Sequence, residues 1–61
     1  MPIVQIDMLE GRSVEQKRAL VAKVTDAISE TASCPKGAVT IIIREMPKEH
    51  LANGGVLRVD Q

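Results

Sequence analysis

The chemistry this chain could perform starts at its second residue. Pro2 stands directly behind Met1, at the head of the stretch PIVQIDMLEGR. Inside a peptide bond a proline here only opens a strand, because it has no N–H to give to the ladder. Met1 is of the kind removed ahead of a small residue or proline, and its loss would leave Pro2 with a free secondary amine. An α-amine has an ordinary pKa near 8 and can trade protons close to neutral pH. The other reactive side chains are few. A single cysteine, Cys34, excludes an internal disulfide; with no histidine or basic cluster beside it, it reads as an inert loop thiol. A single histidine, His50, and no Cys-x-x-Cys pair leave no zinc set, so no metal site is expected. His50 has an acid/base side chain suited to neutral pH, but its place near the tail fits surface packing better. Lys36, Lys48 and Arg58 read as solubilising charges.

Composition narrows the rest. Eight basic residues balance eight acidic ones, and Phe, Tyr and Trp are absent. A basic face for nucleic acid or anionic lipid is therefore not expected, and no aromatic platform exists for stacking bases. No apolar run approaches the roughly 20 residues of a membrane span. The N-terminus has neither the basic segment nor the apolar core of a signal peptide, so a cytoplasmic protein is expected. With 61 residues the chain is expected to be one domain, 1–61. A domain this small buries only about 60% of its unfolded surface and needs outside support. Without disulfide or metal, that support is expected from partner subunits.

Three elements and a tail must position the chemistry. Ile3 to Leu9 predicts a strand with Val4, Ile6 and Met8 on one face and Ile3, Gln5, Asp7 and Leu9 on the other. Gly11 suits the tight connection that follows. Ser13 and Gln16 form an S-x-x-Q capping box for a helix. Its apolar stripe is Val14, Leu20, Val21, Val24, Ala27, Ile28 and Thr31, while the charged positions read as a solvated face on which Glu15 and Arg18 can pair. The helix is expected to stop near Ser33, because Pro35 disfavours helical geometry at Cys34. Ala38 to Met46 predicts a second strand, ended by Pro47. The tail LANGGVLRVDQ predicts a small hairpin or reverse turn at Asn53-Gly54-Gly55.

Strand, helix, strand predicts a right-handed βαβ unit with parallel strands. A parallel sheet needs both faces covered, and one helix covers one. The second face, carrying one side of Val39, Ile41 and Ile43 or of Thr40 and Ile42, has no cover within the chain. A homo-oligomer is the expected solution, with any active site at a subunit junction.

The stretches PIVQIDMLEGRS, EQK and IIIREMPKEHLANGG resemble the 4-oxalocrotonate tautomerase family. The likeness covers nearly the whole chain, and the late E-M-x-K-x-H-x-x-x-G-G pattern adds to its specificity. It implies an α+β chain of β-α-β tautomerase fold, with a parallel strand pair, one helix and a short C-terminal hairpin. It further implies a two-subunit four-stranded sheet, a hexamer built as a trimer of dimers, and cofactor-free proton transfer on small enols and α-keto acids, as in aromatic breakdown. By the same resemblance Pro2 is the general base and Arg12, in the LEGR turn, grips a substrate carboxylate. The family's second arginine aligns with Thr40, and its pocket aromatic with Leu51.

These departures shape the expected activity. A hydrogen bond to a charged group contributes about 1.5–3 kcal/mol, so losing the arginine at position 40 should slow the dicarboxylate 2-hydroxymuconate more than a monocarboxylate such as phenylenolpyruvate. Arg44 shares strand parity with Thr40 but lies about 13 Å further along. Two other readings use the same scaffold: a non-catalytic oligomeric binding protein, and a related hydratase acting on halogenated acids with the same base.

Overall fold

Apolar and polar residues alternate imperfectly from Ile3 to Leu9, and this segment forms strand β1 in the computed structural model, which describes residues 1–61. Helix α1 spans Val14–Thr31 and strand β2 spans Thr40–Met46. A hairpin follows, with β3 at Ala52–Asn53 and β4 at Val56–Leu57. Strands β1 and β2 are parallel, in register from Ile3 opposite Thr40 to Leu9 opposite Met46. The Thr40 N–H donates to the Pro2 carbonyl at 3.0 Å, and the Glu10 N–H to the Met46 carbonyl at 2.9 Å, so the ladder runs past both strand ends. This is the βαβ unit with a C-terminal hairpin that the sequence predicts.

The register assigns every sheet side chain to a face. Val4, Ile6 and Met8 share one face with Ile41 and Ile43, and all five are half-buried. Glu45 lies on that face too, and its carboxylate is ion-paired with Lys17 of α1. The helix therefore covers this face, turning its half-buried Leu20, Val21, Val24 and Ile28 toward it. Val14, at the end where β1 has already finished, stays 60% exposed. Thr31 turns its hydroxyl back to the Ala27 carbonyl at 2.8 Å, so neither residue packs as the stripe predicts. The other face carries Ile3, Gln5 and Asp7 beside Thr40, Ile42 and Arg44, and all six are exposed. Of the two candidates, it is the Thr40 and Ile42 side that lacks a cover.

Not one residue is fully buried. The chain exposes 4543 Å², against roughly 3,900 Å² for a compact monomer of this length. Its radius of gyration is 14.5 Å, where about 10.5 Å is usual, and its shortest dimension is 13 Å. The excess area approaches the ~800 Å² that one partner contributes to a standard interface. The hairpin and the 3₁₀ turn after it add exposed apolar surface at Val56, Leu57 and Val59.

Local chemistry explains where the elements begin and end. Ser13 Oγ accepts from the Gln16 N–H at 3.1 Å and Gln16 Oε1 accepts from the Ser13 N–H at 2.8 Å, completing the capping box. Glu15 pairs with Arg18 in the first turns. The helix stops at Thr31, two residues before the sequence-based limit, because Ser33 takes a left-handed φ of 52°. The Cys34 N–H then reaches back to the Ser29 carbonyl, the long bond of a Schellman ending. Lys36–Ala38 form a 3₁₀ turn, so β2 begins at Thr40 and not at Ala38. Lys36 also pairs with Asp26 at 2.9 Å. The hydrogen bond to Asp26, and then its charge, raise the ammonium above the ordinary lysine value. That contribution is present below the unfolded lysine pKa and is lost as pH rises through the folded one. At the hairpin, Asn53 opposes Val56, and Gly54 and Gly55 have φ of 59° and 84°. Both positive values are what a type I′ turn requires.

Ser33 is the only residue other than glycine with positive φ. A left-handed L-residue costs about 1–2 kcal/mol, and glycine returns part of that through its freer unfolded chain. Ser33→Gly should therefore raise stability by up to about 1 kcal/mol, read as a higher urea midpoint at fixed protein concentration; an unchanged or lower midpoint would contradict the strain.

Candidate active site

Strand direction decides where each candidate residue stands. Pro2 precedes β1 and is held by the bond from the Thr40 N–H to its carbonyl. Thr40 opens β2 opposite Ile3, so Pro2 and Thr40 occupy the same end of the sheet. Pro2 is half-buried, while Met1 ahead of it is 88% exposed. With Met1 attached, the Pro2 nitrogen is an amide and cannot accept a proton; with Met1 gone it is an amine at the open tip of the sheet.

Arg12 lies beyond the other end of β1. Gly11 takes a φ of 124°, a conformation glycine alone adopts readily, and this turns the chain from the strand toward the helix. Arg12 follows immediately before the Ser13 cap, exposed, with its Nη1 donating to the Leu9 carbonyl at 3.2 Å. A carboxylate held there would also lie near the positive pole of α1. Leu51, half-buried, comes after β2 at this same far end, where its carbonyl accepts from the Arg58 N–H at 2.7 Å and closes the tail.

The four candidates thus fall into two pairs, Pro2 with Thr40 and Arg12 with Leu51. Between them runs the length of a seven-residue strand, about 23 Å. A guanidinium at that distance is more than two Debye lengths away at about 8 Å each, and has no hold on its own chain's Pro2. Arg44 shares the open face with Thr40 but sits in register with Asp7, nearer the far end. Its partner in register, Asp7, has no role assigned by the sequence pattern. The alternation in IVQIDML put Asp7 on the mixed face, and only the register set it beside an arginine. The single chain encloses no pocket and gathers no cluster of metal-ligating side chains.

Comparison with known proteins agrees with this architecture. The family model for tautomerase enzymes matches residues 2–61. The 2-hydroxymuconate tautomerase of Stutzerimonas stutzeri is 53% identical over 55 residues, which is 90% of this chain and 87% of the relative. The crystal structure of YwhB, a homologue of 4-oxalocrotonate tautomerase, superposes with a TM-score of 0.94 at 45% identity, covering 98% of each chain. A heterohexameric 4-oxalocrotonate tautomerase from Chloroflexus aurantiacus also gives 0.94, at 37% identity over 98% of this chain and 97% of the other.

Proposed function

This chain belongs to the tautomerase family and is an isomerase of the tautomerase type; from that premise we propose that it converts small carboxylate enols to their keto forms, with Pro2 as general acid and base. The neutral amine takes the hydroxyl proton of the enol. The electron pair of that O–H bond becomes the new carbonyl, the carbon–carbon double bond shifts, and the protonated amine returns the proton to carbon. No cofactor takes part. An α-amine starts near pKa 8, and a guanidinium close by or burial in an assembled site lowers it further, so the base is unprotonated at neutral pH.

The observation that carries this reading is the position of Pro2: tied by its carbonyl to Thr40 at 3.0 Å, at a free strand tip, behind a methionine open to removal. The same strand polarity supports a site shared between subunits. Antiparallel pairing of exposed strand edges would lay the Pro2 end of one copy beside the Leu9–Arg12 end of the next. Arg12 of the partner subunit then holds the substrate carboxylate in a planar, bidentate grip. Leu51 supplies a dry wall, which strengthens the charge effects. A homohexamer arranged as a trimer of dimers is the assembly proposed, in keeping with the six-chain relative from Chloroflexus aurantiacus. Thr40, where the resemblance expects a second arginine, gives a neutral hydroxyl in place of a charge, which favours monocarboxylates such as phenylenolpyruvate over 2-hydroxymuconate.

Three outcomes follow. Protein whose Met1 is permanently retained should assemble normally and lose about 10²–10⁴-fold in phenylenolpyruvate tautomerisation, the usual contribution of a general base; full activity, with retention verified by mass spectrometry, would rule out Pro2. Arg12→Ala alone should be nearly inactive, yet co-refolded with the Met1-retained chain it should regain a measurable fraction of wild-type rate, because some junctions then join an intact Pro2 to an intact Arg12. No recovery in the mixed assembly would argue for a site within one chain. Thr40→Arg should raise kcat/KM for 2-hydroxymuconate by about 10–100-fold, with a smaller gain on phenylenolpyruvate; equal gains on both would remove the assigned role of position 40.

A further inference from the structure

The open sheet face carries only two charges, and they stand side by side. Asp7 and Arg44 are in register, both exposed, on a face whose other members are Ile3, Gln5, Thr40 and Ile42 on one side of the pair and the half-buried Leu9 and Met46 on the other. Ile3 is 58% and Ile42 39% exposed. The chain's ion pairs are Lys17 with Glu45, Arg18 with Glu15 and Lys36 with Asp26, so neither Asp7 nor Arg44 has an ionic partner within its own chain. Side chains on neighbouring strands stand roughly perpendicular to the sheet, and these two point outward, toward whatever covers the face.

We infer that Asp7 and Arg44 form ion pairs between copies of this chain across the open face, and that these pairs govern assembly. The inference rests on the oligomeric reading above and adds the contact that enforces it. A second copy is the occupant the charges select. Covering the apolar residues desolvates Asp7 and Arg44 as well, and a buried charge without a partner is strongly unfavourable. Each copy presents one charge of each sign, so a closed homo-oligomer can meet every guanidinium with a carboxylate. A cover of one sign would set a like charge against one of the two. The apolar residues of the face hold copies together without direction; the charged pair admits only arrangements in which opposite signs meet.

The test uses two single variants and their mixture. Asp7→Arg gives a face with two positive charges, and Arg44→Asp one with two negative charges. Each alone should need about a hundredfold or more higher protein concentration to assemble, as expected when a buried pair becomes a like-charge contact. A chain with no buried residue is expected to lose structure when it loses its partners, so far-UV circular dichroism should fall in parallel. Co-refolded one to one, the two variants should recover the oligomer, seen by native mass spectrometry as mixed assemblies and by sedimentation velocity at the wild-type coefficient. Single variants that assemble like wild type would overturn the inference. So would a mixture that stays dissociated, whether or not the double variant D7R/R44D assembles; its assembly in that case would assign the pair to one chain. Assembly is read independently of turnover, so a wild-type oligomer without tautomerase activity would sink the proposed reaction and leave this inference standing.

Discussion

A two-stranded parallel sheet has two faces and two edges, and one helix can cover only one of those four surfaces. The rest of this structure depends on that shortfall. Leu20, Val21, Val24 and Ile28 of α1 turn toward Val4, Ile6, Met8, Ile41 and Ile43, yet none of them is fully withdrawn from water. The hydrophobic stabilisation available to a lone chain is accordingly partial, while the entropy of ordering 61 residues is not reduced to match. Lys17–Glu45 ties the helix to the sheet, and Lys36–Asp26 ties the helix to the 3₁₀ turn that leads into β2. They orient the layers, but ion pairs open to solvent do not replace an apolar core.

The same topology governs the chemistry. Parallel strands keep Pro2 and Thr40 at one end and Arg12 and Leu51 at the other, and no adjustment of side chains spans a strand length of about 23 Å. A βαβ unit of this size cannot therefore bring its own Pro2 and Arg12 together. The proposed assembly would answer both deficits with one contact, because the uncovered surface is continuous with the ends that carry Pro2 and Arg12. The proposed proton shuttle also needs dry walls and a base left neutral, and the proposed interface between copies would provide a low dielectric that no part of the single chain does.

Much of the fold was legible because its signals are local. Ser13 and Gln16 announce a capping box through side chains three residues apart. Gly54-Gly55 announces a turn that demands two positive φ values. β-branched residues in Thr40–Met46 announce a strand. The boundaries that shifted did so for cooperative reasons. The helix ends at Thr31 because Ser33 adopts a left-handed conformation to close the ending, and β2 waits for Thr40 because Lys36–Ala38 coil into a 3₁₀ turn. Each depends on several residues agreeing, which propensity taken one position at a time does not express.

Read alone, the sequence determined the order and type of the elements, the lack of cover for one sheet face, and the place of Pro2 directly behind Met1, since periodicity, turn chemistry and covalent structure are properties of neighbouring residues. It left open which face of β2 was bare and what stood beside Asp7. The tertiary structure decided both through the β1–β2 register, which sets Thr40, Ile42 and Arg44 on the open side and places Arg44 against Asp7. It also separated Pro2 from Arg12 by the full length of a strand. Register and end-to-end distance arise only when segments distant in sequence pair, and no residue type or spacing along the chain encodes them by itself.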